Sequence, residues 1–381
     1  MAERSAVQSP SRDLEPHLRG FPSHLFNRTF YESCELIDRY TTAWAIELAG
    51  RLGLTRDIAA DRAASDIRSQ RGFAASFTPA LSWVIERLKE RPAGPAREVN
   101  RQELLQALLE LDPENKRSTD LIDAAGDSYP AVANGALRGE EALFGPARAA
   151  LWWRYFDNAN PFYAINNRIA ALVAARHLPA EGPIRILEVG SGTGSGTRAL
   201  LEILADQGLD ARLSRYVASE PAAFFRRRAE RSLKADYREL EIAFTSLDID
   251  LPWEEQGIEP GTFDLIFAVN VLHVAQDLSF SLRQARRALV AGGWLVAGEC
   301  VRPYAGTTVG IEMIFRLLSD FNRVRLDPDL RPEAGFLSPE SWLAILASSG
   351  FAEITIAPDI RRIREIYPRF FTGALCARRS G

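Results

Sequence analysis

The sequence predicts an α/β protein: a doubly wound sheet of seven strands with helices on both faces, preceded by a mainly helical N-terminal domain. Three observations predict it. From Ile184 onward, short aliphatic and β-branched runs alternate with stretches of helical periodicity, the pattern of strand–helix–strand units. The first 150 residues contain no strand-like run and repeat their apolar residues at helical spacing. The first strand then runs into ILEVGSGTGSGT, residues 186–197, where glycine takes every second position from Gly190 to Gly196, a turn able to carry a strand tightly into a helix. At 381 residues the chain is long enough for two domains, which divide at 1–150 and 151–381.

The elements follow in order. Tyr40 to Ala49 places apolar side chains at helical spacing and is stopped by Gly50 and Gly53. Phe77 to Leu88 is a second helix, with Thr78 as N-cap and Pro79 in its first turn. Arg91-Pro92-Ala93-Gly94-Pro95 breaks the pattern, and Leu104 to Leu111 forms a third helix. Residues 151–178 crowd Trp152, Trp153, Tyr155, Phe156, Phe162 and Tyr163 ahead of Asn166 and Asn167. They read as a connecting helix pair that packs the domains together or roofs a pocket, since aromatics supply large burial area either way. Strands are expected at 184–189, 213–218, 241–245, 263–269, 293–298, 352–357 and 370–377, with helices at 195–207, 221–234, 277–290 and 339–349. The short connection Pro358 to Arg369 predicts that the sheet ends in an antiparallel pair. A long insertion, about 301–337, has Ile311 to Leu318 as its helix.

Composition narrows the partners. With 46% hydrophobic and 25% charged residues and a net charge of −4, the chain reads as soluble and offers no electrostatic case for nucleic acid. The basic run Arg226-Arg227-Arg228-Ala229-Glu230-Arg231 reads as a solvated helix face. Cys34, Cys300 and Cys376 lie too far apart for a disulfide framework or a zinc pattern, and no metal site is expected. No uncharged run approaches bilayer-spanning length, and the first residues lack the apolar core of a signal peptide. The expectation is a cytoplasmic protein, with no membrane partner, whose first twenty or so residues are flexible. The helical N-terminal domain is compatible with a homodimer.

The glycine loop separates two cofactor classes. A dinucleotide calls for G-x-G-x-x-G, but counting from Gly190 the last position is Ser195, and from Gly192 it is Thr197. There is no G-K-[ST] either. What remains is E-x-G-x-G-x-G, with Glu188 two residues before Gly190. A carboxylate there repels a pyrophosphate and favours a ligand with positive charge, such as the sulfonium and α-amino group of S-adenosylmethionine. At this loop the chain resembles the class I S-adenosylmethionine-dependent methyltransferases, with their Rossmann-like seven-stranded sheet, over roughly residues 184–381. The resemblance implies that Glu188, Gly190, Gly192 and Gly194 shape the donor loop. It implies that Glu220, after Tyr216-Val217-Ala218-Ser219, binds the ribose, that Leu247 and Asp248 contact the adenine, and that Asn270 ends the fourth strand at the donor. Ala291-Gly292-Gly293 replaces the family's usual P-G-G, a minor departure.

Methyl transfer needs a nucleophile in line with the donor methyl, and carbon or phenol nucleophiles need a base. His17 and His24 lie near the start of the chain, and His177 falls at a helix end, where it can interact with the helix dipole. His273 follows the fourth strand directly, at the carboxyl edge where such sheets bind ligands. Strand five ends Ala297-Gly298-Glu299, and neighbouring strand ends lie about 4.8 Å apart, which brings Glu299 within reach of His273. His273 and Glu299 are therefore the expected base and its orienting partner. The wording Asn270-Val271-Leu272-His273, with a later Gly298-Glu299, is similar to the C-methyltransferases of polyketide synthases, and less closely to small-molecule O-methyltransferases, whose L-H-D-W is replaced by Leu272-His273-Val274-Ala275. The former implies methylation of the carbon α to a carbonyl, on a small-molecule or carrier-protein-bound acyl substrate. The helical N-terminal domain and the length of the chain point to the latter, a phenol or enol O-methyltransferase. Tyr155, Tyr163, Met313, Phe315 and Phe321 are candidate walls of the substrate pocket under a lid formed by the insertion, and Arg302 and Tyr304 are candidates to bind a substrate carbonyl.

Overall fold

The computed structural model describes residues 11–90 and 100–381; the expected break at Arg91–Pro95 lies outside them. Seven strands form one sheet: β1 Ile184–Val189, β2 Leu213–Ser219, β3 Ile242–Thr245, β4 Phe263–Val269, β5 Leu289–Cys300, β6 Phe351–Ala357 and β7 Thr372–Arg379. Their order is β3-β2-β1-β4-β5-β7-β6. β7 runs antiparallel to both β5 and β6, and the remaining pairs are parallel. The order reverses between β1 and β4, so the loops after these two strands open a crevice at the carboxyl edge of the sheet. β4 is buried along its whole length, which explains its uninterrupted apolar text after Asp264. Helices Ser195–Asp206, Ala223–Asp236, Leu278–Ala288 and Pro339–Ser348 fall within three residues of their expected bounds.

The N-terminal helices depart more from expectation. The first long helix spans Arg28–Arg51 and begins twelve residues before Tyr40. Asn27 caps it by accepting from the Phe30 N–H, and Tyr31, Cys34 and Ile37 continue its buried stripe. Thr78 is not an N-cap: a 3₁₀ turn, Ala75–Phe77, precedes it, and its hydroxyl donates back to the Ala75 carbonyl. Residues 11–26, expected to be flexible, are helical in part, and Leu14, Leu18, Leu25 and Phe26 are buried against the sheet core. Their apolar spacing suits that packing, which composition alone concealed.

Two apolar clusters hold the chain together. One surrounds the sheet. The other lies among the helices before residue 156 and includes Val309, Ile311, Met313, Ile314, Leu317, Phe321 and Phe336 from the insertion. The insertion is thus folded into the helical layer. Trp83 Nε1 donates to the Val309 carbonyl at 3.1 Å and the Tyr129 hydroxyl to the Met313 carbonyl at 2.8 Å. Gly139 marks the closest approach, since a Cβ there would lie 1.7 Å from the Leu317 carbonyl oxygen. The expected Ile311–Leu318 helix is only the single turn Glu312–Phe315, followed by a second turn at Ser319–Asn322. No described helix is long and apolar enough to cross a membrane.

Candidate active site

Two cavities meet at the carboxyl edge of the sheet. The first, of about 420 Å³, is lined by Gly190, Glu220, Leu247, Asp248 and Asn270, among others. Its shape begins with the loop after β1. Gly190 has φ +68°, and a Cβ on it would lie 2.3 Å from Val271 Cγ2, so only glycine lets this loop pass under the turn that follows β4. The Ser191 N–H donates to the Ser219 carbonyl, and the Gly192 N–H donates to Glu220 Oε2 at 3.1 Å. Glu220 Oε1 accepts from the Ala222 N–H at 2.9 Å. Each carboxylate oxygen has thus taken one donor and keeps acceptor capacity for more. Burial raises the Glu220 carboxyl above the ordinary range, and the two backbone N–H groups oppose this.

Gly192 and Gly194 shape the loop without lining the cleft. Gly194, at φ +88°, leads into the Ser195–Asp206 helix and packs on Leu233. Glu188 also stands apart from the cleft. It points beneath the loop, fully buried, and accepts from the Thr197 and Tyr216 hydroxyls. Burial pushes its carboxyl up to about 7. The expectation that it repels phosphate and attracts a cation across the loop is therefore corrected. Its place in the fold is to tie β1 to β2 and to the following helix.

These residues fit an adenosyl donor with an amino-acid end. Gly190 lines the cleft, and without a side chain it lets the loop pack directly on Val271. The buried Ser191 hydroxyl in the same loop has no partner among the described residues. An open-sided carboxylate sits at the end of β2, where a ribose is held in this class of sheet.

The second cavity, of about 210 Å³, has mainly aromatic walls: Phe144, Trp152, Tyr155, Phe156, Phe162, Tyr163, Phe315, Phe336 and Phe371. Its polar groups are Ser118, Asn166, Asn270, His273 and Cys300. Asn270 and Val274 line both cavities and so mark the passage between them. Asn270 has φ +53°, the left-handed region that side chains other than glycine rarely adopt. Its conformation is held on three sides. Its N–H donates to the Gly298 carbonyl at 2.7 Å, and its Oδ1 accepts from the Cys300 N–H and Asn166 Nδ2, each at 3.0 Å.

The turn Leu272–Val274 carries His273. Parallel pairing of Val269 with Gly298 brings the strand ends together, and His273 Nδ1 lies 2.6 Å from Glu299 Oε2. Glu299 is completely buried, and its Oε1 accepts from the N–H groups of Val271 and Leu272 at 3.2 and 2.8 Å. One carboxylate therefore fixes both the ring and the backbone of the turn. With Nδ1 engaged, Nε2 is the nitrogen left for a proton transfer. Phe336 and Phe321 flank the ring at 4.9 and 5.8 Å between centroids.

Other expected pocket residues are redistributed. Tyr155, Tyr163 and Phe315 line the aromatic cavity. Met313 does not: its side chain is core beneath the helical layer. Phe321 backs the His273 ring from outside the wall. Tyr304 lines a neighbouring groove with Arg87, Thr308 and Arg369, and its ring lies 4.6 Å from the Arg364 guanidinium. Arg302 is a buried strut, donating to the carbonyls of Phe336 and Thr307 and to Glu312, and it does not line the cavity that holds His273. His177 caps its helix, with Nδ1 against the Val173 carbonyl, and takes no part in either cavity.

Sequence reasoning missed Cys300 and Arg331, and noted Asn166 only in passing. Arg331 is buried and donates to the carbonyls of His273 and Ala275, clamping the turn that carries His273 from the insertion. No cluster of metal-ligating side chains occurs among the described residues.

The fold is shared with known proteins. Residues 187–295 match the family described as a methyltransferase domain. A reducing polyketide synthase of Preussia isomera, Preu2, is 29% identical over 257 residues, which are 67% of this chain and 10% of that protein. The chain thus spans about a tenth of the length of this relative. The crystal structure of the CurJ carbon methyltransferase superposes with a TM-score of 0.76 at 21% identity, covering 98% of each chain. The C-methyltransferase domain of the citrinin polyketide synthase superposes at 0.74 and 18% identity, covering 100% of this chain and 98% of that one. At these identities the superpositions establish the fold.

Proposed function

We propose that this S-adenosylmethionine-dependent methyltransferase methylates carbon, at the position α to the carbonyl of an acyl thioester, with His273 as general base and Glu299 as its orienting partner. The single observation that carries the reading is the buried 2.6 Å contact between His273 Nδ1 and Glu299 at the wall of an aromatic cavity. The relatives, a reducing polyketide synthase and two carbon methyltransferases, support a polyketide-like acyl substrate, free or on a carrier.

S-adenosylmethionine supplies an electrophilic methyl group when bound. Gly190, Glu220, Leu247, Asp248 and Asn270 are the residues that would hold it. His273 Nε2 removes the α-proton, and Glu299 stabilises the imidazolium that results and keeps the proton on Nδ1. The carbon left with the electron pair would take the methyl group as the methyl–sulfur bond of the donor breaks, its electron pair returning to sulfur and the demethylated thioether leaving. Tyr155 and Tyr163 present phenols that burial keeps protonated, so both are available as donors to an enolate oxygen. The apolar wall excludes water, which strengthens each of these interactions. Residues 1–150 and the insertion at about 301–337 act together as the substrate lid in this reading.

The aromatic wall also favours a second reading, in which a planar phenol or enol is methylated on oxygen by the same base. The test is to supply a 3-ketoacyl thioester and methyl-¹³C donor to the purified chain. A product carbon resonance in the C–CH₃ range supports the proposal, and one in the O–CH₃ range overturns it in favour of the second reading.

A further inference from the structure

The carboxyl edge of the sheet sets three spaces in a row. The donor cleft lies over the ends of β2, β1 and β4, at Glu220, Gly190 and Asn270. The acceptor cavity follows over β4 and β5, at Asn270, His273 and Cys300. Next comes the groove that Tyr304 lines, of about 210 Å³, which meets the start of β7 at Pro368, Arg369 and Phe371. β7 pairs with β5 at Thr372 and Cys300, and the Val301 N–H donates to the Phe371 carbonyl. The groove therefore stands on the side of the acceptor cavity away from the donor. Ile37, Ile311 and Phe371 line both spaces and form the junction between them.

The two spaces differ in chemistry. The acceptor cavity offers mainly aromatic carbon, where an amide would give up its hydrogen bonds to water. The groove adds hydroxyls and charges of both signs, from Tyr304, Thr307, Thr308, Asp38, Arg87 and Arg369. The Thr307 hydroxyl donates to the Tyr304 carbonyl at 2.8 Å and keeps its oxygen as an acceptor. Arg369 spends Nε on Asp38 and Nη1 on Glu35, and its Nη2 has no acceptor among the described residues. Arg87 is paired with Asp38. With its charges matched and both donors and acceptors to spare, the groove suits a neutral chain that carries amide N–H and C=O groups. It suits an anion or a bare hydrocarbon less well.

We propose that the groove seats the amide-bearing arm of the thioester, a pantetheine chain, while the acyl chain lies in the aromatic cavity and the junction encloses the bonds between them. This inference rests on the acyl-thioester reading above. Coenzyme A thioesters and carrier-borne thioesters share this arm, so the groove serves either source.

The test varies arm and acyl chain separately in steady-state kinetics of the full chain. A 3-ketobutyryl group is supplied on N-acetylcysteamine, which ends after one amide, and on pantetheine, which carries two. Wild type is expected to use the pantetheine thioester about tenfold more efficiently, through KM. Thr307 lines the groove and not the aromatic cavity. Thr307→Trp is expected to abolish the preference for pantetheine and to leave kcat/KM for the short thioester within about twofold of wild type, which also shows that the variant is folded. Lengthening the acyl chain to 3-keto-octanoyl is expected to change KM equally in both proteins. The same acyl group on coenzyme A and on a carrier protein separates the sources: the one used more efficiently identifies the source, and either is expected to lose efficiency in Thr307→Trp. A variant that penalises the longer acyl chain instead would put the acyl tail in the groove, and equal losses with both arms would make Thr307 structural. Either result overturns the proposal, as does a wild type that uses both arms equally. A wild type that methylates neither thioester overturns the acyl-thioester reading itself, and the groove's occupant with it.

Discussion

Glu299 holds His273 in two ways at once: Oε2 lies 2.6 Å from the imidazole Nδ1, while Oε1 accepts the Val271 and Leu272 N–H groups of the same turn. The carboxylate sets the tautomer, and it also sets where the ring stands relative to the passage at Asn270. Glu299→Gln separates these functions. Its amide oxygen can still accept from the turn, but its NH₂ then faces Nδ1 and requires that nitrogen to be unprotonated. The proton moves to Nε2, which can no longer accept one. Methyl transfer is expected to fall by about 10³–10⁴-fold, with donor affinity and melting temperature close to wild type. His273→Ala is expected to lose rate by about 10²–10⁴-fold. Rates measured by mass spectrometry on a 3-ketoacyl thioester check both, and a Glu299→Gln enzyme of wild-type rate would remove the dyad from the mechanism.

Arg331 approaches the same turn from the insertion. It donates to the carbonyls of His273 and Ala275, and burial lowers its guanidinium to about 10, which leaves it charged at neutral pH. Arg331→Met leaves two carbonyls without their donor. Denaturant titration is expected to show a loss of about 2 kcal/mol. The rate is expected to fall through misplacement of His273, with donor affinity unchanged, and an unaltered rate would limit Arg331 to stability.

The sheet and the contact between Glu299 and His273 are legible in the sequence because each depends on local pattern plus one rule of topology. Alternation located the strands, and parallel pairing of strand ends placed Glu299 beside His273. The rest depends on contacts that no local pattern encodes. Arg331 is 58 residues from His273, and Asn166 is 104 residues from Asn270. The φ of +53° at Asn270 has no glycine to announce it. Met313 is misplaced because Ile311–Leu318 reads as one lid helix, whereas it breaks into single turns that sink into the helical layer; Tyr304 is misplaced because closeness to Glu299 in sequence does not bring it to the cavity, and it lines a neighbouring groove. Glu188 was given a ligand-facing role from its spacing to Gly190, although the strand turns its side chain into the core toward Tyr216.

Glu220 joins the donor loop to the end of β2 through the Gly192 and Ala222 N–H groups. Glu220→Gln keeps an acceptor but gives up the charge and half of the acceptor capacity that a ribose diol would use. Donor affinity measured by calorimetry is expected to weaken about tenfold or more, with S-adenosylmethionine and S-adenosylhomocysteine affected equally, since both carry the ribose. An unequal effect would place Glu220 away from the ribose.

Glu188 makes stability depend on pH. Its carboxyl rises from 4.5 to about 7 in the folded chain because burial disfavours the charged form, against the opposing pull of the Thr197 and Tyr216 hydroxyls. Between those values the folded chain binds a proton that the unfolded chain has released, so stability falls as pH rises. The contribution is complete below about pH 4.5 and is lost as pH passes through about 7, and its full size is about 3 kcal/mol. Glu188→Gln keeps an oxygen for both hydroxyls and has no proton to lose. Other buried carboxyls, among them Glu86 and Asp250, are also raised and slope the curve of any single protein, so the decisive quantity is the difference between wild type and variant. Denaturant titrations from about pH 5 to about pH 8 are expected to show the wild type losing stability relative to Glu188→Gln across that window. Parallel curves would mean that Glu188 stays ionised beneath the glycine loop, with its charge held there by the two hydroxyls.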